Sequence, residues 1–241
     1  GDDDNGSGTG SAYIFEQQED DSWLSTAKLT ASDGTSSDLF GRSVDISGTN
    51  ALVGTTGEDD NGSLSGSAYI FEQQQDGSWL ETAKLLASDG ASDDLFGRSV
   101  AISETTALIG SYGDDDNGTN SGSAYIFEQQ VDGTWLETAK LLASDGASDD
   151  YFGRAVAISG TTAMIGAYND DEKGSAYIFQ QQQDGSWLET AKLLASDGAS
   201  DDRFGYNIAI SGTIALVGNY ADDDNESSSG SAYIFQQQQD G

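Results

Sequence analysis

The chain has no cysteine, no histidine and no proline in 241 residues, and only 9 lysines and arginines against 42 aspartates and glutamates. Without cysteine there is no disulfide framework and no thiol nucleophile, and cysteine usage says nothing about redox compartment. Without cysteine or histidine there is no zinc-finger-type site and no Ser-His-Asp triad. The formal net charge of −33 repels nucleic acid and anionic membranes and draws cations. No stretch approaches the roughly 18 apolar residues of a membrane span, so no membrane insertion is expected. No signal peptide is visible, and the chain opens inside a repeat at Gly1-Asp2-Asp3-Asp4, which reads as a mature or cut piece of something longer.

What is present is glycine, 31 residues of it, and a strict repeat. The hexapeptide Gly-Ser-Ala-Tyr-Ile-Phe starts at Gly10, Gly66, Gly122, Gly174 and Gly230, at intervals of 56, 56, 52 and 56 residues. Trp23, Trp79, Trp135 and Trp187 keep the same period, as do Phe40-Gly41, Phe96-Gly97, Phe152-Gly153 and Phe204-Gly205. A period near 50 with strand-like content points to propeller blades or another β-array.

Each unit reads as four short strands. In the unit starting at Phe96 they are Phe96 to Ser103, Thr105 to Gly110, Ser123 to Gln129 and Thr134 to Leu142. Asp132-Gly133 predicts a tight hairpin between the last two, because both residues tolerate φ > 0. The third strand is apolar on both faces, so its sheet must lie between two others. The expected fold class is therefore all-β: one β-propeller of four-stranded blades built from ~56-residue repeats. The blades are expected at 40–95, 96–151 and 152–203, with partial blades at 1–39 and 204–241. Phe96, Val100, Ile102, Leu108, Ile126 and Trp135 are the expected core.

At these residues the chain resembles the FG-GAP repeat family, which includes the integrin α-subunit propellers. Phe96 to Ser103 matches the FG half. Ala107 to Tyr112 stands where the family has its Gly-Ala-Pro, here Gly110-Ser111-Tyr112. The resemblance implies a propeller and, in many members, calcium between strands one and two. That loop is Ser103-Glu104-Thr105-Thr106 here, too short and too poor in acids, so the family's metal site does not carry over.

The acids gather instead after strand two: Asp2-Asp3-Asp4, Glu58-Asp59-Asp60, Asp114-Asp115-Asp116, Asn169-Asp170-Asp171-Glu172 and Asp222-Asp223-Asp224. Clustered carboxylates are hard ligands suited to calcium. Asp59, Asp60, Asp114, Asp115, Asp116, Asp222, Asp223 and Asp224 are the candidate metal ligands, against the plainer reading of a solvated loop. The same loops carry sequons at Asn5, Asn61, Asn117 and Asn225, candidate glycan acceptors in a secreted chain. A second acidic turn, Asp89 to Asp94, is expected to shape the link between blades.

Arg42, Arg98 and Arg154, and Lys28, Lys84, Lys140 and Lys192, recur at fixed slots. Such repetition suggests pairing with neighbouring acids rather than catalysis. Lys173, Arg203 and Tyr206 are the few singular residues and form no recognisable catalytic set, so no enzyme is expected. The reading is an extracellular or cell-surface structural or adhesion module, with self-association into an array or filament, or a protein partner. The alternative is a glycan-binding propeller that uses tryptophan and tyrosine between blades. Exposure of Trp79 and Trp135 would favour the glycan reading.

The strand count is uneven, with five third strands and four of each other kind. A closed four-bladed ring would leave one third strand over, and a longer array would not.

Overall fold

The computed structural model describes residues 6–223, 226 and 229–238. It is a succession of antiparallel sheets. A two-stranded sheet of β1 (Ala12–Gln17) and β2 (Trp23–Leu29) comes first. Three four-stranded sheets follow. They are β3 (Ser43–Ser47), β4 (Asn50–Thr55), β5 (Ser67–Gln73) and β6 (Trp79–Leu85); β7 (Ser99–Ser103), β8 (Thr106–Ser111), β9 (Ser123–Gln129) and β10 (Trp135–Leu141); and β11 (Phe152–Ser159), β12 (Thr162–Ala167), β13 (Ser175–Gln181) and β14 (Trp187–Leu193). A three-stranded sheet of β15 (Phe204–Ser211), β16 (Ile214–Asn219) and β17 (Ser231–Gln236) closes the series. Within every sheet, strands pair in chain order. The three four-stranded sheets are blades of a β-propeller, and the two end sheets are partial ones. Among the described residues no helix is long and apolar enough to cross a membrane.

The core lies between sheets. Leu52, Ile70 and Leu85 of one sheet meet Phe96, Val100, Ile109 and Tyr125 of the next. The opposite face of that second sheet sends Leu108, Ile126 and Leu141 against Phe152, Val156 and Tyr177. Alternation along each strand makes this two-sided packing possible. Each fully buried large apolar side chain contributes about 1.5–3 kcal/mol. Phe96 sets its ring edge-to-face with Tyr125 at 5.4 Å and with Phe127 at 6.1 Å.

First strands of successive blades lie side by side. The Ser43 hydroxyl donates to the Gly97 carbonyl at 2.8 Å, and Asp45 Oδ2 accepts the Ile102 N–H at 2.8 Å. On the strand-three side, Gln73 Nε2 donates to Glu16 Oε1 at 2.9 Å, Gln129 to Glu72 at 2.7 Å and Gln181 to Glu128 at 2.6 Å. The glutamines that end the third strands therefore tie each blade to the one before.

Three expectations need correction. Strand one of the second full blade starts at Ser99 rather than Phe96; Phe96 instead bridges Gly66 of the preceding blade. Trp135 is half-buried, its ring against an inter-blade cluster. In the hairpin between strands three and four only Gly133 takes a left-handed backbone, φ 87°. The loop is wider than two residues, closed by Gln130 N–H on the Thr134 carbonyl at 2.7 Å. Asp132 serves by its side chain, with Oδ1 accepting the Thr134 N–H and hydroxyl at 3.0 and 2.7 Å.

Candidate functional site: lysine-filled acidic clusters and a tyrosine–arginine strip

The loop from strand two to strand three and the link from strand four to the next strand one share one edge of each blade. In the second full blade they bring Asp89, Asp114 and Asp116 together. Asp89 comes from the preceding link, the other two from the β8–β9 loop. Asp33, Glu58 and Asp60 form the same triad one blade earlier. Such clusters could hold a cation. A cation already stands in them. Lys140 Nζ lies 2.7 Å from Asp89, 2.8 Å from Asp114 and 2.7 Å from Asp116. Lys84 is 2.7, 2.9 and 2.7 Å from Asp33, Glu58 and Asp60. Lys192 repeats the arrangement with Asp145 at 2.7 Å and Asp170 at 2.6 Å.

A tyrosine completes each cluster. The Tyr125 hydroxyl is shared between Asp89 Oδ1 at 2.8 Å and Asp114 Oδ2 at 2.9 Å, and the Lys140 ammonium sits 5.2 Å from the centre of its ring. Burial alone would lower the Lys140 ammonium, but hydrogen bonds to Asp114, Asp116 and Asp89 outweigh it and hold the group above the usual lysine range. Burial also works to raise Asp89, and hydrogen bonds from Lys140 and Tyr125 more than offset it, so its carboxyl lies below the ordinary value. Tyr125→Phe should cost about 1–2 kcal/mol of stability, because two acids lose one shared donor. Urea unfolding that moves by only a few tenths of a kcal/mol would contradict this role.

Of the metal candidates, Asp60, Asp114 and Asp116 belong to these clusters. Asp59 and Asp115 do not: their Oδ1 atoms accept the Leu64 and Asn120 N–H groups at 2.8 and 2.7 Å and shape the turn. Asp222 is buried and accepts the Ser231 hydroxyl at 2.5 Å and the Tyr233 hydroxyl at 3.3 Å, while Asp223 is exposed. Asp224, Asn5 and Asn225 lie outside the described residues. Asn61 and Asn117 are exposed, and Asn61 Nδ2 donates to the Ala87 carbonyl at 3.2 Å. Between β7 and β8 only Glu104 and Thr105 intervene, so the residues there do not fit a calcium ion of the resemblance's type. The candidate ligands left out Glu58, which stands in the same acidic run as Asp60, and Asp33 and Asp89, which reach their clusters from the link between blades. Asp89 and Lys140 stand 51 positions apart. The fixed period of the lysines was the available signal.

The arginines behave differently from the lysines, against expectation. Among the described residues, neither Arg42 nor Arg98 makes an ion pair or a side-chain hydrogen bond, and Arg98 lies near both Arg42 and Arg154. Arg154 Nη2 donates to the Tyr206 hydroxyl at 2.6 Å, with the guanidinium 4.3 Å from the centre of that ring. Tyr206 occupies the arginine slot of the last blade. From there a chain of rings runs across blades. Tyr112 meets Tyr151 at 5.8 Å, Tyr151 stacks on Tyr168 at 5.1 Å and 5°, Tyr168 meets Tyr206 at 5.3 Å, and Tyr206 meets Tyr220 at 4.7 Å. Arg203 lies 5.6 Å over the Tyr168 ring, donates to Asn169 Oδ1 and pairs with Asp201 at 3.0 Å. Two of the three singular residues, Arg203 and Tyr206, thus meet at one place. Lys173 is exposed, and its carbonyl accepts the Phe204 N–H at 3.0 Å beside them, with no side-chain contact among the described residues.

The tryptophans are a separate matter. Trp79 and Trp187 are half-buried against inter-blade clusters, as Trp135 is, and Trp23 is exposed.

Comparison with known proteins bears on the fold. The search of curated proteins finds no match. A crystal structure of a protein from Lactobacillus plantarum superposes with a TM-score of 0.60 at 13% identity, over 95% of this chain and 61% of that one. This chain thus spans less than two thirds of that protein's length, and the likeness is one of fold. The FG-GAP repeat family model matches four times, at residues 23–71, 79–127, 135–179 and 187–235. Each match begins at a tryptophan and runs through the next Phe-Gly to the third strand, so the chain belongs to the FG-GAP repeat family.

Proposed function

We propose that the chain is a non-catalytic structural and adhesion module working outside the cell or at its surface, and that it associates head to tail with further copies. The observation that carries the reading is the state of its two ends. Val44 and Ile46 are 61% and 52% exposed on β3, whereas their counterparts Val100 and Ile102 are 7% and 5% exposed between blades. At the other end Ile214, Leu216 and Ile234 are exposed. These surfaces are the two halves of the interface that recurs inside the chain. A cleft of about 440 Å³ beside β1, lined in part by Phe15, Val44 and Ile46, lies where a first and second strand would sit. The opposite end of a second copy carries such strands, β15 and β16, with β17 already paired to β16, so seating them beside β1 requires β17 to give way to it.

Opposed, non-identical faces generate rings or filaments. Sedimentation velocity should show species heavier than the 25.2 kDa chain that grow with concentration. Val44→Asp with Ile46→Asp should return a monomer, since both positions face solvent in the single chain. A monomer at every concentration would overturn the assembly. The repeated carboxylates support the absence of catalysis: each cluster with a lysine is engaged with it and with a tyrosine from the same repeat slots, three acids around Lys84 and Lys140 and two around Lys192. Calcium at these clusters would have to compete with the ammonium. In a secreted chain, the exposed Asn61 and Asn117 are the described acceptors for glycan.

A second reading, recognition of a glycan, is favoured by one observation. The tyrosine–arginine strip is where the repeat departs from its own symmetry.

A further inference from the structure

We propose that the strip formed by Tyr112, Tyr151, Tyr168, Tyr206 and Tyr220 with Arg42, Arg98 and Arg154 is a binding site for an acidic saccharide, a pyranose bearing a carboxylate or sulfate. This rests on the glycan reading above and names its ligand class.

Three slots build the strip. The residue before Phe-Gly is Leu39, Leu95, Tyr151 and Arg203 in turn; the residue after it is Arg42, Arg98, Arg154 and Tyr206. The residue ending the second-strand triplet is Thr56, Tyr112, Tyr168 and Tyr220. Around these slots Phe-Gly, the cluster lysines and the cluster tyrosines hold constant, so the strip is the part free to specialise. The slot before Phe-Gly is also fixed in space: its φ is 63°, 57°, 57° and 68° along the chain, a left-handed backbone that non-glycine residues rarely keep.

Charge says what the strip would take. In a molecule of net charge −33, arginines have carboxylates in plenty to pair with. Arg42 and Arg98 pair with none among the described residues, and Arg154 engages a neutral phenol. The direct contact of Arg154 with Tyr206 shows that side chains after Phe-Gly in adjacent blades reach one another, which puts Arg42, Arg98 and Arg154 in one row. Burial, and then the nearby Arg154 and Arg42 charges, push Arg98 down to about 10. A row of like charges at the surface is relieved by an anion. The guanidinium fork matches a carboxylate or sulfate with two parallel hydrogen bonds.

The rings say what carries the anion. Tyrosine presents an apolar face and a polar tip with little entropy to lose, and Tyr220, 53% exposed, leaves ring surface open at the end of the strip. Alternating C–H and O–H groups of a pyranose suit faces and phenol tips lying side by side.

The test is calorimetric titration of the full chain with four oligomers of equal length: galacturonic acid, a sulfated heparin-type sugar, glucose and glutamate. One of the two acidic sugars should bind at least tenfold tighter than the glucose oligomer, and more weakly as salt rises. Arg42→Gln and Arg154→Gln should each weaken that binding about tenfold or more. Arg42 is exposed and has no side-chain partner, so its variant keeps the fold. Lys173→Gln, outside the strip, should bind as the parent does. Equal binding of glucose and acidic oligomers would overturn the acidic specificity while sparing the glycan reading. Absence of binding by every sugar would overturn both. A tighter glutamate oligomer would replace the saccharide with an acidic peptide.

Discussion

Gly153→Ala should destabilise the protein by about 3–4 kcal/mol, whereas Gly133→Ala should cost only about 1 kcal/mol. The two glycines have the same backbone, φ 86° and 87°, so the left-handed penalty is common to both. They differ in surroundings. A Cβ on Gly133 would meet nothing within 4 Å. A Cβ on Gly153 would run into the Ser123 carbonyl, closer than real Cβ atoms come to anything, with the Ser111 N–H at 3.1 Å. Both obstacles are backbone and cannot rotate away. The second-strand end and third-strand start of the previous blade close over this glycine, and the motif's Phe-Gly pair follows: phenylalanine fills the inter-blade core and glycine lets the backbones touch. Urea unfolding of both variants separates the two effects. Equal losses would show that the close approach carries no energy.

Lys140→Met should cost about 2–3 kcal/mol at neutral pH. Methionine keeps the length and the packing but leaves Asp89, Asp114 and Asp116 facing one another with one shared hydroxyl. Asp114 is nearly buried, its side chain 5% exposed, so water screens it poorly. Asp89 and Asp116 are about half exposed, and screening limits their share. The sign with pH follows from the shifts. Asp89 is held below its unfolded value, so its stabilisation is present above that value and fades as pH falls through the lower, folded one. Lys140 is held above its unfolded value, so its contribution persists below about pH 10.4 and fades only in stronger alkali. The gap between parent and variant should therefore narrow as pH falls through the carboxylate range, because protonated acids no longer repel. A gap that widens in acid would reject the pairing.

The repeat made the fold legible. Period, alternation and the two-faced third strand gave the strand order, and Val100, Ile102, Leu108 and Ile126 lie buried as their spacing requires. Trp135 was misjudged because size and apolarity do not say how far out along a blade a residue sits. The candidate site was less legible for a related reason. Periodicity exposes what is equivalent between blades, not what touches across them. Asp89 and Asp114 fall in different stretches of sequence and meet only when the link from one blade folds over the loop of the next. Arg154 and Tyr206 stand 52 positions apart, in equivalent slots that hold different residues. Neither looks functional until adjacent first strands lie side by side.

The central claim is that the acid-rich loops are closed on lysine, so that their carboxylates build the blade edge. The direct test is thermal unfolding of the parent and of Lys140→Met in chelator and in millimolar calcium, at matched ionic strength. The parent should melt at nearly the same temperature in both. The variant, its ammonium gone, should gain about 5 °C or more from calcium, the rise expected when a ligand at a hundredfold excess over its Kd binds only the folded chain. A parent that gains as much as the variant would show that calcium, not lysine, is the cation these loops were built around.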